Sequence, residues 1–229
     1  MRFFFSYSLA VGLFLWGVGV GAFRIPPYEG LYRLSILLGY QQADVPEHVN
    51  RALLFEQFSP YVDVVFLGDS LIAGVEWSDI YPGFRVSNRG IPGDDSVTVL
   101  SRLGAIVSSK PTKVIIMLGI NDIYSGRDVP EILDNYLAII DKLTSQGIDV
   151  SVLSTVQCVK SICGAARVRK INLLNLELSR HVASMGAAFV ELQELSSNVG
   201  LDPSLSYDGM HLNPAGYLRM SEIIKPHLI

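Results

Sequence analysis

The chain has 229 residues, of which 49% are hydrophobic and 17% are charged. This composition supplies enough apolar surface for a sizeable core and excludes a disordered or low-complexity chain. The formal net charge is −4, and no run of lysine and arginine could neutralise a phosphate backbone. Nucleic acid is therefore not expected as a partner.

The amino-terminal segment at residues 3–23 contains no charged side chain. As a helix it would reach roughly 31 Å, about the thickness of the hydrocarbon core of a bilayer. Arg2 gives it a positive start, and Gly21 and Ala22 are small residues of the kind that a signal peptidase recognises. We expect residues 1–23 to be a signal peptide or a single-span membrane anchor, with the rest of the chain periplasmic or secreted. A buried helix in a cytosolic protein is the alternative.

Residues 24–60 precede the first convincing strand. Pro26 and Pro27 indicate a stiff linker, and residues 45–58 have the pattern of an amphipathic helix that Asp44 or Pro46 opens. We interpret this stretch as a lead-in to a domain that spans residues 61–229.

From residue 61 onward, apolar runs of strand length alternate with helical patterns. The predicted strands are 62–67, 85–87, 114–118, 150–154 and 189–192, and the predicted helices are 96–107, 130–146, 166–184 and one after Pro214. Nearly continuous apolar strands between helices are typical of a parallel sheet that is covered on both faces. The pattern predicts an α/β fold with a doubly wound sheet of about five parallel strands, whose carboxyl ends bind ligands.

The two cysteines, Cys158 and Cys163, lie in a predicted loop. In an oxidising compartment they could form a local disulfide, and otherwise they would be free thiols. No histidine stands near them to complete a zinc site. The sequence also lacks a phosphate-binding loop and a His-Glu-x-x-His pair, so it predicts neither metal nor cofactor.

Four short polar segments follow or interrupt this pattern. GDSL at 68–71, NRG at 88–90 and GIND at 119–122 follow the first three predicted strands, and YDGMHLNP occupies 207–214 near the carboxyl terminus. A serine hydroxyl is a poor nucleophile unless a base takes its proton, and an imidazole with a pKa of about 6.5 suits that task.

Among the four histidines, only His211 has an acidic residue three positions earlier, Asp208. In a turn the two side chains share one face, so the carboxylate can reach Nδ1 and leave Nε2 free to face Ser70. The residues therefore predict a catalytic triad of Ser70, His211 and Asp208.

In their order along the chain, the four segments resemble the signature blocks of the SGNH/GDSL hydrolase superfamily from residue 61 to the end. The resemblance implies a three-layer α/β/α, flavodoxin-like fold and a serine esterase. It also implies an oxyanion hole formed by the main-chain N–H groups of Ser70 and Gly90 and the side-chain amide of Asn121. We assign Asp69 a structural role, as a loop-orienting residue or a helix cap.

The leading hypothesis is an esterase that cleaves a small-molecule or glycan ester of a short acyl chain through an acyl-Ser70 intermediate. The same chemistry could instead transfer an acyl group to an envelope polysaccharide. A third hypothesis is a membrane-tethered binding module that has lost turnover, although a paired nucleophile and base argue against it. The loops at 77–84 and 156–166 are expected to wall the substrate pocket.

Overall fold

A computed structural model of the chain describes residues 47–228. The predicted signal peptide or anchor and most of the predicted linker lie outside the described residues. The chain divides after Pro46 into two units, and helix α1 (Glu47–Gln57) begins the second, ahead of the predicted domain boundary at Tyr61. Within residues 47–228, no helix is both long enough and apolar enough to cross a bilayer.

Five parallel strands form the sheet of this second unit. They are β1 (Val64–Gly68), β2 (Val86–Gly90), β3 (Lys113–Met117), β4 (Asp149–Leu153) and β5 (Ala188–Val190). Their order is β2-β1-β3-β4-β5, and Val64 pairs with Val86 on one side and with Lys113 on the other. The strand order reverses between β1 and β3, where sheets of this kind bind their ligands. The predicted doubly wound α/β fold is confirmed.

Two helical layers cover the sheet, because successive residues of a strand point to opposite faces. Val65 and Leu67 pack against α4 (Ser96–Ser101), α5 (Leu103–Ser108), α6 (Ile120–Tyr124), α7 (Val129–Thr144) and α9 (Ala165–His181). Val64 and Phe66 pack against α2 (Ser70–Ala73), α3 (Trp77–Ile80) and α10 (Pro214–Ile224). Burial on both faces explains why the inner strands β1 and β3 are nearly continuous apolar runs.

The helix predicted at 96–107 is divided into α4 and α5 at Arg102, whose backbone leaves helical geometry at φ −105° and ψ 12°. The Arg102 side chain is 7% exposed, and its guanidinium donates to the carbonyl of Arg89 at 2.8 Å. The short helices α3 and α6 were not predicted, nor was the antiparallel pair of β6 (Ser196–Ser197) and β7 (Gly200–Leu201). Elements of two to five residues leave no periodic pattern in a sequence.

Cys158 and Cys163 form a disulfide with their Cα atoms 6.1 Å apart, which decides between the two possibilities that the sequence left open. The disulfide closes the loop that contains α8 (Lys160–Cys163). This loop contacts the carboxyl-terminal segment, since the N–H of Val159 donates to the carbonyl of Gly209 at 2.7 Å. The disulfide loop therefore supports the segment that carries His211.

Candidate active site

Ser70 occupies the turn between β1 and α2. β1 ends at Gly68, where a Cβ atom would lie 2.4 Å from the carbonyl oxygen of Met117, so glycine lets β1 and β3 approach here. The Asp69 carboxylate caps α2 by accepting the N–H of Leu71 at 2.9 Å, as predicted. Because Ser70 is the first residue of the helix, its own N–H has no intrahelical partner.

The side chains of Ser70, His211 and Asp208 form a continuous chain of hydrogen bonds. Ser70 Oγ lies 3.1 Å from His211 Nε2, and His211 Nδ1 lies 2.6 Å from Asp208 Oδ2. These two contacts are the ones that let a base take a proton from a hydroxyl and that hold the ring in one tautomer. The structure thus brings together the three residues that the sequence predicted as a triad.

A tight turn before α10 sets the spacing of Asp208 and His211. Gly209 has φ +85°, and Asp208 Oδ1 accepts the main-chain N–H groups of Met210 at 2.8 Å and of His211 at 2.7 Å. Burial acts to raise the pKa of Asp208, but hydrogen bonds from the His211 ring and from these N–H groups lower it to about 2. The carboxylate is therefore ionised at neutral pH and can stabilise a positive charge on the ring.

Asn121 lies on α6, which follows β3. Gly119 precedes it with φ +111°, a conformation that glycine adopts readily and other residues rarely adopt. One N–H of the Asn121 amide donates to the carbonyl of Asp94 at 2.8 Å. The amide nitrogen carries two N–H groups, so a second one remains for another acceptor. Asn121 therefore borders residues 90–94, which we call the 90–94 loop.

Gly90, the predicted second donor, already has a partner. Its N–H donates to Asn88 Oδ1 at 2.9 Å. A Cβ atom at Gly90 would lie 2.4 Å from the main-chain nitrogen of Ala73, so the missing side chain lets β2 pack against α2. This geometry speaks against Gly90 as an oxyanion-hole donor and gives it a packing role instead.

Gly93 is a functional candidate that the sequence analysis missed. It has φ +86° and an exposed backbone, and its N–H donates to no group among the described residues. The turn around it is closed by the N–H of Asp94, which donates to the carbonyl of Ile91 at 3.1 Å. The Pro-Gly pair at 92–93 is the sequence signal for such a turn and could have drawn attention to it.

Three buried carboxyl groups lie beneath these loops. Asp69, Asp94 and Asp122 are 1%, 5% and 0% exposed. Burial raises the pKa of Asp69 to about 7 and also raises the pKa of the other two. Asp122 accepts the N–H and the hydroxyl of Ser96 at 3.0 and 2.6 Å, which ties α6 to the start of α4. Within residues 47–228, no group of three His, Cys, Asp or Glu side chains is placed to hold a metal ion.

Residues 66–219 match the model of the GDSL-like Lipase/Acylhydrolase family. The chain belongs to this family. It is therefore an ester-hydrolysing serine hydrolase, as the four sequence segments predicted. A search of curated proteins finds no match.

Several solved structures share the fold of this GDSL hydrolase. A putative platelet activating factor from Streptococcus pneumonia is 22% identical with a TM-score of 0.72, over 88% of this chain and 99% of that chain. A GDSL-like lipase from Bacteroides thetaiotaomicron is 23% identical with a TM-score of 0.69, over 80% and 97%. An acetyl xylan esterase, AlAXEase, is 20% identical with a TM-score of 0.65, over 73% and 100%. Similarity to these structures at such sequence identities shows that this chain shares their fold.

Two cavities of this GDSL hydrolase involve the loops that were expected to wall the pocket. A polar cavity of about 700 Å³ lies at the ends of β4 and β5, and Gln157 and Asn172 line it. An apolar cavity of about 720 Å³ lies between α3 and α10 and is lined by Ile80 and Tyr207. The Tyr207 ring stacks on the His211 ring with the centroids 5.8 Å apart, so the apolar cavity begins beside this histidine.

Proposed function

We propose that the protein hydrolyses a carboxylic ester with Ser70 as the nucleophile, His211 as the general base and Asp208 as the residue that orients the ring. The observation that carries the proposal is the chain of contacts from Ser70 Oγ to His211 Nε2 at 3.1 Å and from His211 Nδ1 to Asp208 at 2.6 Å. A hydroxyl paired with a base that a third group holds is the arrangement that activates a serine.

In the first half-reaction, Ser70 Oγ attacks the carbonyl carbon while His211 Nε2 takes the hydroxyl proton. The tetrahedral intermediate then breaks its bond to the alcohol oxygen, which leaves with the proton from Nε2, and acyl-Ser70 remains. In the second half-reaction, water gives a proton to Nε2 and attacks the acyl carbon. Collapse of this intermediate returns the proton to Ser70 Oγ and releases the carboxylic acid.

The negative oxygen of both intermediates would be stabilised by three donors: the main-chain N–H groups of Ser70 and Gly93 and the second N–H of Asn121. Gly93 replaces Gly90 in this proposal because the Gly90 N–H is engaged by Asn88. The Asn121 amide supports the assignment, since it bonds to Asp94, the residue after Gly93. Donors that are fixed before the reaction need no reorganisation in the transition state.

We propose that the substrate is a small-molecule or glycan ester of a short acyl chain, met outside the cytoplasm. The name of the acetyl xylan esterase that shares the fold suggests acetylated glycans as a first test. The disulfide supports an oxidising compartment, which residues 1–23 would provide as a signal peptide or a membrane anchor.

The test is hydrolysis of a series of p-nitrophenyl esters and of acetylated xylan by the full chain and by its Ser70→Ala variant. We expect turnover of acetate and butyrate that disappears in the variant. Equal turnover by the variant would refute the proposal, and preference for long chains would refute the short acyl pocket. Product analysis with a sugar acceptor present would reveal transfer as acyl-sugar, whereas a hydrolase gives free acid.

A further inference from the structure

We propose that Arg51, on helix α1, is a positioning residue that holds the 90–94 loop, and with it the Gly93 N–H, in the orientation that the reaction needs. The inference rests on the proposed function of this loop. α1 covers Glu47–Gln57 and so lies entirely before residues 66–219, the segment that the family model matches.

Arg51 makes a direct contact with the loop, since its Nε donates to the carbonyl oxygen of Gly90 at 3.0 Å. β2 is an edge strand of the sheet, and carbonyl groups on the outer side of an edge strand have no partner in the sheet. Arg51 supplies such a partner for the carbonyl of Gly90, the residue where β2 ends and the loop begins. The contact fixes the peptide plane from which the turn around Gly93 starts.

Arg51 belongs to a group of three arginines, Arg51, Arg89 and Arg102, which we call the arginine cluster. Their guanidinium carbons lie 5.4, 4.5 and 6.0 Å from the centroid of the Phe55 ring on α1. Arg89 also donates to the carbonyl of Phe58, just after α1, at 3.0 Å. Helix α1 thus contributes an arginine and an aromatic ring to the cluster, and the residue after it contributes a carbonyl acceptor.

The cluster holds both ends of the 90–94 loop. Arg102 donates to the carbonyl of Arg89, before the loop, at 2.8 Å and to Asp94, at the end of the loop, at 2.7 Å. Arg89 and Arg102 are 3% and 7% exposed, and Asp94 is the one carboxylate in an ion pair with the cluster among the described residues. Burial and the neighbouring guanidinium groups lower the pKa of Arg89.

Two buried cations against one carboxylate need further compensation, because burying an unpaired charge is costly. The Phe55 ring face and the Phe58 carbonyl, both from the α1 region, supply it through cation–π contact and hydrogen bonding. Without α1, Arg89 would lose the Phe55 ring and the Phe58 carbonyl as partners, and the Gly90 carbonyl would lose Arg51. A change in the position of the helix would therefore change the position of the loop that carries the Gly93 N–H donor.

The experiment compares full-length wild type with Arg51→Ala, Arg51→Lys and the control Glu56→Ala, an exposed residue on the same helix. In Arg51→Ala we expect kcat for ester hydrolysis to fall about tenfold, less than the hundredfold or more that follows deletion of a donor. KM and the pH profile should stay close to wild type, because neither the pocket nor His211 changes. Arg51→Lys should recover part of the loss, since an ammonium can also donate to the Gly90 carbonyl.

A double-mutant cycle separates positioning from a general loss of stability. Because Arg51 and Asn121 act on the same loop, Arg51→Ala combined with Asn121→Ala should lose less than the product of the two single losses. An Arg51→Ala enzyme with wild-type kcat, or a double variant that loses the full product, would overturn the inference. An active wild type whose Ser70→Ala variant is equally active would instead defeat the proposed function, whatever Arg51 does.

Discussion

The turn that carries His211 and the 90–94 loop act together in the proposed reaction but are held in different ways. The Asp208 side chain is 40% exposed, and within residues 47–228 its hydrogen bonds reach only residues at most three positions away along the chain. The 90–94 loop instead depends on Arg51, Arg102 and Asn121, which come from three separate parts of the sequence. In one half of the site the contacts that orient the catalytic ring are local and accessible, and in the other the contacts come from separate elements and include buried charges.

The difference follows from what each half has to do. A general base needs one distance and one tautomer, and a four-residue turn can fix both. Oxyanion donors must already point at an oxygen that becomes charged only in the transition state, so they need a rigid support. We therefore expect that the loss of a single contact is enough to abolish the function of the exposed turn. The function of the 90–94 loop should instead be lost through changes in packing.

The largest effect is expected in the exposed turn. His211→Ala should lower kcat by about 10⁶-fold because no base remains, whereas Asp208→Ala should lower it by about 10⁴-fold because the ring is still present. Steady-state ester hydrolysis measures both, with His181→Ala as a control that leaves kcat unchanged. An equal loss in the two variants would contradict the division of roles between ring and carboxylate.

Asn121→Ala tests the other half of the site. It should lower kcat by about 100- to 1000-fold, with little change in KM, because the donor acts mainly on the transition state. Asn121→Asp has nearly the same size but presents a negative charge, so it should lose at least as much activity. Wild-type turnover in either variant would remove Asn121 from the oxyanion hole.

A pair of glycine variants tests whether packing limits the 90–94 loop. Gly90→Ala should lower the free energy of unfolding by about 1–3 kcal/mol, because its Cβ would meet the main chain of Ala73 at 2.4 Å. Gly93→Ala should cost about 1–2 kcal/mol, because its φ of +86° is strained although its Cβ would face open space. Urea denaturation measures both, and a clearly greater loss of stability in Gly93→Ala would count against the packing role of Gly90.

The pH dependence of stability tests the buried carboxyl group of Asp69 beneath the site. Burial raises the pKa of Asp69 from 3.8 to about 7, so the folded state binds its proton more tightly than the unfolded state. The resulting stabilisation is complete below about pH 4 and is lost as the pH rises through about 7. Thermal midpoints of wild type should fall relative to those of Asp69→Asn over this range. A constant difference between the two proteins from pH 4 to 8 would show that Asp69 does not titrate there.

The same division between local and distant contacts explains what the sequence could predict. The inner strands are short apolar runs and the longer helices have a hydrophobic period, so both could be predicted. Asp208 and His211 are three residues apart, so their pairing required only a turn. The sequence pointed to Gly90 and not to Gly93 as a donor. The difference depends on the direction of the Gly90 N–H group, which donates to the Asn88 side chain. The contact between Arg51 and the Gly90 carbonyl joins positions whose separation leaves no local pattern.

In the proposed reaction, Ser70 is the nucleophile, and the turn that carries His211 and the 90–94 loop both act on it. Labelling of the full chain with a fluorophosphonate, followed by intact mass measurement and peptide mapping, tests it most directly. We expect one phosphonyl group on Ser70, no labelling of Ser70→Ala and much slower labelling of His211→Ala. A label on another residue, or unchanged labelling of Ser70→Ala, would contradict it.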